Sequence, residues 1–233
     1  MSAAGGDPVA AHVPPPSWPM LRAMVSVGLL CGLLITTAYI ATRPAIERNR
    51  AEALQRAIFE VLPAARSART FAWVEGQGFE RVRVEEGEKT AAPVLHVGFD
   101  EAGGVAGVAI EAAGMGYQDV IRVLYGYSPE RAAVIGMVVL ESRETPGLGD
   151  RIETDPAFRA NFERLDVALD SGGERIAHPI EAVKHGEKEA PWQIDGITGA
   201  TISSNAIARI LQESTVVWIP RIHSKLAQLD GGD

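Results

Sequence analysis

The sequence predicts an α+β protein, with a single N-terminal transmembrane helix followed by one domain whose mainly antiparallel sheet is flanked by helices. Residues 21–42 are apolar over the ~20 residues that a helix needs to cross a bilayer. Beyond them, short apolar or alternating segments are bounded by turn residues, which is typical of strands. Helical periodicity occurs at both ends of this strand-rich region. The 233 residues are enough for an anchor and one compact domain.

The N-terminal region is expected to hold the chain in a membrane. Residues 1–20 are rich in Ala, Gly and Pro and are predicted to be flexible, whereas residues 21–42 carry Arg22 as their only charge. A cleaved signal peptide is the alternative interpretation. The apolar core of a signal peptide is roughly 7–15 residues long, so the longer run here favours a retained transmembrane helix.

The anchor is followed by a predicted connecting helix and then by the main domain. The connecting helix is expected over residues 43–65, and Pro63 ends its helical pattern. Its apolar face is formed by Leu54, Ile58, Val61 and Leu62. The main domain is expected over residues 66–220, with a C-terminal tail over residues 221–233.

Strands and further helices are predicted within the main domain. Strands are expected over residues 79–85, 94–99, 104–110 and 132–140. Asp155 and Pro156 have the form of an N-cap followed by proline at the first helical position, which predicts a helix to about residue 165. Residues 170–189 are expected to form a loop and an edge strand. The last helix is predicted to begin near Thr201, with Pro220 kinking or ending it.

The composition excludes several classes of function. A net charge of -8 argues against a nucleic-acid partner, because binding to phosphates needs a basic face. Cys31 is the only cysteine, which excludes an intrachain disulfide and a cysteine-ligated iron–sulfur cluster. The five histidines are scattered, so no metal site is predicted. An electron carrier of this composition would need an organic cofactor.

The most informative segment is Asp195-Gly-Ile-Thr-Gly-Ala-Thr-Ile-Ser-Ser204, which precedes a helical pattern. Gly199 and Ala200 are small enough for a ligand to approach the backbone. Thr201, Ser203 or Ser204 could cap the helix, and a helix N-terminus favours a phosphate group. By residue type alone, the segment is typical of a capped helix that follows a tight turn.

The complete pattern Asp-x-x-Thr-Gly-Ala-Thr resembles the flavinylation motif of the FMN-binding domain family. This family includes the G subunit of Rnf electron-transport complexes and the C subunit of sodium-pumping NADH:quinone oxidoreductases. The resemblance implies that Thr201 carries FMN through a phosphoester bond, and that a separate flavin transferase forms the bond with FAD as donor and Mg²⁺. It also implies that residues 66–220 form an FMN-binding domain.

A second signature of the same family is Glu144-Thr-Pro-Gly-Leu-Gly149, and Gly116-Tyr117 resembles a third. Proline fixes φ in this loop, and Gly147 and Gly149 permit positive φ. Leu148 would then project as an apolar contact for the flavin ring, with Thr145 at a polar edge of the ring. Glu144 could bond the flavin or brace the loop. An ordinary turn is the alternative interpretation of this segment.

The signature segments described above together give a set of predicted site residues. No catalytic residue is predicted, and the chain is not expected to act as an independent catalyst. Cofactor-binding residues are predicted to be Tyr117, Glu144, Thr145, Gly147, Leu148, Asp195, Thr198, Gly199, Ala200, Thr201 and Ser203.

The function implied by the resemblance is that of a membrane-anchored electron carrier. The expected assembly is an Rnf-type ferredoxin:NAD oxidoreductase coupled to ion translocation, with other membrane subunits as partners. One alternative is a component like the C subunit of a sodium-pumping quinone reductase, and another is a membrane-anchored scaffold without redox function. Flavin fluorescence of the denatured chain would distinguish the scaffold from either carrier.

The location of the main domain is predicted from conflicting signals. Arginines cluster after the apolar run at Arg43, Arg48, Arg50 and Arg56, which favours a cytoplasmic domain. The family resemblance implies the extracytoplasmic, periplasmic side of the inner membrane. The charge rule weakens for long translocated domains, so a single-pass protein with an extracytoplasmic flavin domain is expected.

Overall fold

The computed structural model describes residues 17–82 and 93–230. The chain forms two compact units, residues 1–47 and residues 48–233. In the first unit, the described residues are helical, and their large apolar side chains are exposed. They belong to helix α1, Ser17–Val61. This helix contains an 18-residue window with a mean hydropathy of 2.0, so it is long and apolar enough to cross a membrane.

Helix α1 covers both the predicted transmembrane helix, residues 21–42, and most of the predicted connecting helix, residues 43–65. The two predicted segments form one continuous helix, and Pro44 lies inside it. Proline has a φ that is compatible with a helix, although its ring removes a hydrogen bond. The predicted end near Pro63 is confirmed. Helical conformation is disfavoured for the residue before a proline, and α1 stops at Val61.

The second unit is built on a seven-stranded sheet with strand order β2-β1-β3-β4-β5-β6-β7. Every neighbouring pair in it is antiparallel. The strands are β1 Ser67–Val74, β2 Gly78–Arg81, β3 Val94–Phe99, β4 Val105–Met115, β5 Val120–Ser128, β6 Ala133–Glu141 and β7 Leu165–Asp166. A separate parallel pair is formed by β8 Glu181–Val183 and β9 Gln193–Asp195. The predicted α+β fold with a mainly antiparallel sheet is confirmed.

Four helices complete the described part of the second unit. They are α2 Arg151–Thr154, α3 Pro156–Ala160, α4 Thr201–Ser224 and α5 Leu226–Leu229. The N-cap prediction at Asp155 is confirmed, because its side chain accepts hydrogen bonds from the backbone of Ala157 and Phe158. The helix that Asp155 caps ends at Ala160, earlier than predicted. Of the strand predicted over residues 79–85, the part from residue 83 onward lies outside the described residues.

Helix α4 packs on one face of the sheet and forms the main core with it. The two elements approach so closely that a Cβ on Gly114 of β4 would lie 2.6 Å from Cγ1 of Ile210. Tyr125 of β5 is fully buried, and its hydroxyl lies 2.8 Å from that of Ser214. Because α4 is fixed along its length, its first residue, Thr201, has a defined position on the domain.

The opposite face of the sheet receives the C-terminal end of α1. Four adjacent strands contribute a row of glycines here: Gly98, Gly107, Gly126 and Gly136. A Cβ on Gly107 would lie 2.7 Å from Cδ2 of Leu62, and one on Gly126 would collide with the carbonyl oxygen of Val61. The glycine row therefore makes the groove in which the end of α1 is buried.

The described residues after Pro220, residues 221–230, are mostly helical. Pro220 lies inside α4, which continues to Ser224. Leu229 of α5 is fully buried, and the side-chain oxygen of Gln228 accepts a hydrogen bond of 3.0 Å from the backbone of Phe79. Of the predicted tail over residues 221–233, the part up to residue 230 packs against the domain through Leu229, because its apolar residues cover the sheet beside β2, and residues 231–233 lie outside the described residues.

Candidate functional site

Thr201 is the first residue of α4, and its side chain is exposed. The N-cap residue is Ala200, and no side chain caps the helix, so none of the three predicted capping residues fills that role. The free amides of the first turn and the dipole of a 24-residue helix give this end a partial positive charge. An acceptor hydroxyl at this position therefore suits a phosphate group.

The turn before Thr201 depends on Gly199. Its φ is +85°, in the left-handed region that favours glycine. The amide of Ala200 donates to the carbonyl oxygen of Ile197 at 3.0 Å, and Ala200 is buried. Thr198 and Gly199 are exposed beside Thr201. The turn thus presents two threonines and a bare backbone to solvent.

Asp195 is directed toward the protein rather than toward Thr201. Its carboxylate accepts a hydrogen bond of 2.7 Å from the backbone of Gly186 and lies 3.4 Å from Nδ1 of His185. Its backbone amide and carbonyl are both bonded by the side chain of Asn161. The contacts of Asp195 are therefore those of a residue that fixes the start of the motif.

Arg151 contacts the same motif from α2. Nη1 donates to the carbonyl oxygen of Thr198 at 3.0 Å, and Nη2 donates to Oδ2 of Asp155 at 2.7 Å. The Arg151 guanidinium lowers the pKa of the Asp155 carboxyl. Neither Arg151 nor Asn161 was found from the sequence. Each acts on backbone atoms of residues far along the chain, and such contacts leave no local pattern.

The Glu144 carboxylate connects three of the predicted segments. It is buried, and its Oε1 accepts from the backbone amides of Tyr117 at 2.8 Å and Gln118 at 3.1 Å. Its Oε2 accepts from the hydroxyl of Ser203 at 2.5 Å. Of the two roles predicted for Glu144, these contacts are those of a brace. Ser203 is likewise buried, and its hydroxyl is used by Glu144.

Two glycines pack directly against this carboxylate. A Cβ on Gly116 would lie 2.5 Å from Oε1 of Glu144, and one on Gly149 would lie 2.6 Å from Oε2. Gly149 therefore provides space rather than a positive φ. Gly147, in contrast, has a φ of +78°, as predicted for the turn. The glycines of the two loop signatures are thus explained by a turn and by close approach to Glu144.

The exposed side chains of the joined segments include large apolar groups. Tyr117 is 61% exposed, Leu148 is 54% exposed and Ile202 is 57% exposed. Thr145 is half-buried, and its hydroxyl accepts from the Gln118 side chain at 3.0 Å. The structure therefore leaves Tyr117 and Leu148 free to contact a ligand, while Glu144, Ser203 and Asp195 hold the backbone behind them.

Comparison with known proteins identifies the class of this domain. The family model of the FMN-binding domain matches residues 116–215, a range that contains all three signature segments. The fold agrees with two solved structures. NqrC from Shewanella oneidensis has 17% identity and a TM-score of 0.58 over 78% of this chain and 98% of its own. The C subunit of the Na⁺-translocating NADH-quinone reductase from Parabacteroides distasonis has 18% identity and a TM-score of 0.55 over 80% of this chain and 96% of its own. The chain therefore carries an FMN-binding domain.

Sequence similarity to curated relatives identifies the family of the whole chain. The G subunit of the ion-translocating oxidoreductase complex of Methanosarcina acetivorans is 31% identical over 193 residues, which are 82% of this chain and 88% of the relative. The G subunit of the Na⁺-translocating ferredoxin:NAD⁺ oxidoreductase complex of Acetobacterium woodii is 27% identical over 84% of this chain and 87% of the relative. The chain belongs to the family of G subunits of ion-translocating oxidoreductase complexes.

Proposed function

We propose that this chain is a membrane-anchored electron-transfer component of an Rnf-type ferredoxin:NAD oxidoreductase, coupled to ion translocation, and that it carries FMN in phosphoester linkage to Thr201. The observation that carries the proposal is the position of Thr201. Its exposed hydroxyl lies at the start of α4, directly after the Thr-Gly-Ala turn. Family membership supplies the class of complex, and the other membrane subunits of that complex are the proposed partners.

Attachment of the flavin requires a second protein. A threonine hydroxyl is a weak nucleophile without an adjacent base or metal, so an external flavin transferase is proposed, with FAD and Mg²⁺. The bond between Thr201 Oγ1 and the FMN phosphorus forms as the pyrophosphate bond of FAD breaks. AMP leaves with the bridging oxygen, and the hydroxyl proton passes to a base of the transferase.

The residues of the site divide into those that would hold FMN and those that hold the loops. The phosphate would be covered by the first amides of α4 and approached closely by Gly199 and Ala200. Thr198 and Thr145 offer polar contacts, and Tyr117 and Leu148 offer apolar surface for the ring. When bound, FMN supplies the capacity to take up and release electrons. The protein contributes orientation and shields one side of the cofactor from water.

The membrane arrangement is also proposed from the sequence and the family. Residues 21–42 would cross the inner membrane, and the flavin-binding domain, predicted over residues 66–220, would lie on the periplasmic side. A covalent bond suits that side, because FMN held only by weak contacts would be lost by dilution away from cytoplasmic pools. Fusions after Asp233 test this topology. Alkaline phosphatase should be active and green fluorescent protein dark, and the reverse result would place the domain in the cytoplasm.

Two other functions are distinguishable from the proposed one. A component like the C subunit of a sodium-pumping quinone reductase is favoured only by fold similarity at 17% and 18% identity, against 31% for a relative among the G subunits. A scaffold without a redox role would have no bound flavin. Reconstitution with the remaining subunits should give ferredoxin-dependent reduction of NAD, and quinone reduction by NADH instead would favour the alternative.

The decisive experiment measures the covalent bond. The full chain is produced with its flavin transferase, denatured, and examined by in-gel flavin fluorescence and peptide mass spectrometry. The peptide that contains Thr201 should carry the mass of FMN minus water, and Thr201→Ala should abolish both signals. Ser224→Ala is the control, since it removes an exposed hydroxyl at the other end of α4 and should leave both signals unchanged. A fluorescent band from denatured Thr201→Ala would contradict the proposed attachment site.

A further inference from the structure

We infer that Asn161 and Arg151 form a clamp that holds the loop over residues 195–200 in the conformation required for flavin transfer to Thr201. The inference rests on the proposed attachment of FMN to Thr201. Asn161 and Arg151 bond the loop backbone on either side of the Ile197 position, through Asp195 and Thr198. Both are positioning residues for the modification.

Asn161 fixes the start of the loop. Its side chain is buried, with Oδ1 accepting from the Asp195 amide at 3.0 Å and Nδ2 donating to the Asp195 carbonyl at 3.1 Å. Nδ2 also donates to the carbonyl of Phe158 at 3.0 Å, which ties the amide group to α3. A side chain that satisfies both backbone groups of one residue leaves that residue little freedom to rotate.

Arg151 fixes the loop immediately before the glycine turn. Its bond to the Thr198 carbonyl is charge-assisted, and such bonds are roughly twice as strong as neutral ones. The guanidinium is oriented by Asp155, whose other carboxylate oxygen caps α3 through the amides of Ala157 and Phe158. The position of Arg151 is therefore set by a folded element and not by the loop that it holds.

The buried Ser204 side chain bonds the loop backbone at two positions. Its Oγ accepts from the Ile197 amide at 3.1 Å and donates to the Ala200 carbonyl at 3.0 Å. Backbone groups are thus bonded along the whole turn, while the Thr198 side chain, Gly199 and Thr201 stay exposed. This combination gives a rigid backbone under an accessible hydroxyl.

Rigidity matters because the transfer needs alignment of three groups. The Thr201 Oγ1–P bond forms in line with the breaking P–O–P bond of FAD, AMP departs, and a transferase base receives the hydroxyl proton. Alignment of the reacting atoms accounts for a large part of the acceleration of such steps. A loop that is already ordered spares the transferase the entropic cost of ordering it.

The test uses the full-length, unmodified chain in detergent with FAD, Mg²⁺ and purified flavin transferase. Arg151→Ala should raise the apparent KM of the transferase for this acceptor by roughly tenfold and leave kcat within about twofold, because only the ordered fraction of the acceptor binds productively. The control is Arg159→Ala. Arg159 is 49% exposed against 42% for Arg151, and it pairs with Glu60 away from the loop.

A second measurement needs no flavin at all. Hydrogen exchange of the Ile197 and Ala200 amides should speed up in Arg151→Ala and in Asn161→Ala, relative to wild type and to Arg159→Ala. If Asn161→Ala is too unstable for these measurements, Arg151→Ala alone tests the clamp.

The possible outcomes separate the clamp from the proposed function. If wild type is flavinylated at Thr201 and Arg151→Ala has an unchanged KM and unchanged exchange, the clamp is refuted. A lowered melting temperature of Arg151→Ala with unchanged KM would also refute it, because the residue would then only stabilise α2 and α3. A wild-type chain that acquires no flavin at Thr201 would refute the proposed function itself.

Discussion

The hydrogen bonds of Glu144 allow a quantitative prediction of stability. Alanine removes these bonds, whereas glutamine has the same shape and can keep them. Glu144→Ala leaves the amides of Tyr117 and Gln118 and the hydroxyl of Ser203 without their acceptor. Each buried donor left unpaired costs about 1–3 kcal/mol, and water entering the space recovers part of this, so a loss of about 4 kcal/mol is expected. For a domain of this size that corresponds to a fall in melting temperature of roughly 8–16 °C.

Glu144→Gln should behave differently. The amide oxygen keeps both backbone contacts, and the amide NH₂ can donate to the Ser203 oxygen, which then accepts instead of donating. The expected loss is about 1 kcal/mol. Thermal unfolding of the full chain in detergent, followed by circular dichroism, measures both variants against wild type.

The flavin-loaded chain provides a second reading of the same substitutions. Glu144→Ala should alter the visible absorption and midpoint potential of the flavin, because the Tyr117 loop is no longer fixed to α4. Glu144→Gln should leave both near wild type. If the two variants lose the same stability and shift the potential equally, the negative charge acts on the flavin and the reasoning from the brace is wrong.

Three further predictions follow from other contacts. Leu148→Ala should shift the absorption and midpoint potential of the flavin while leaving the covalent bond intact, and an unchanged spectrum would show that Leu148 does not contact the ring. Gly126→Ala should lower the free energy of unfolding by about 2–3 kcal/mol, since its Cβ overlaps backbone at the end of α1, whereas Gly172→Ala, with ordinary contacts, should be neutral. The pKa of Glu111 is lowered by the neighbouring His96, whose Nε2 lies 3.9 Å from Oε1, and by the hydrogen bond from Arg122, so Glu111→Gln should destabilise the chain at neutral pH. That difference should disappear as the pH falls below the ordinary value of 4.5 and through the depressed pKa, and a pH series of melting temperatures would reveal it.

The parts of the fold that the sequence predicts are those set by local interactions. The Asp155 cap, the strand at Val94–Phe99 and the helix start at Thr201 each depend on residues close in sequence. Strand β1, Ser67–Val74, was not predicted, because its small and polar residues blur the alternation between faces. Pro220 is predicted to kink or end α4, and the helix continues past it to Ser224, since packing of the buried Ile222 outweighs the local signal for an end.

The candidate site divides in the same way. The segments around Thr201 and Leu148 have recognisable local patterns, so the sequence alone identifies them. The direction in which a carboxylate points has no such signature. Glu144 makes the contacts of a brace, which is one of the two roles predicted for it, and the side chains of Asp195 and Ser203, predicted to bind the cofactor, form hydrogen bonds with protein groups. Asn161, which bonds the backbone of Asp195, has no local pattern that identifies it. Tertiary hydrogen bonds to backbone atoms decide these roles.

The glycine groove that holds the end of α1 has a consequence for biosynthesis. Val61 and Leu62 leave the ribosome before any strand of the sheet, but the groove that buries them is complete only once Gly136 of β6 has been made. Until then, an apolar helix end lies uncovered on a nascent chain. Folding of the domain therefore occurs late, after β6 has been synthesised. A chain truncated before β6 would expose the apolar end of α1 to chaperones and proteases.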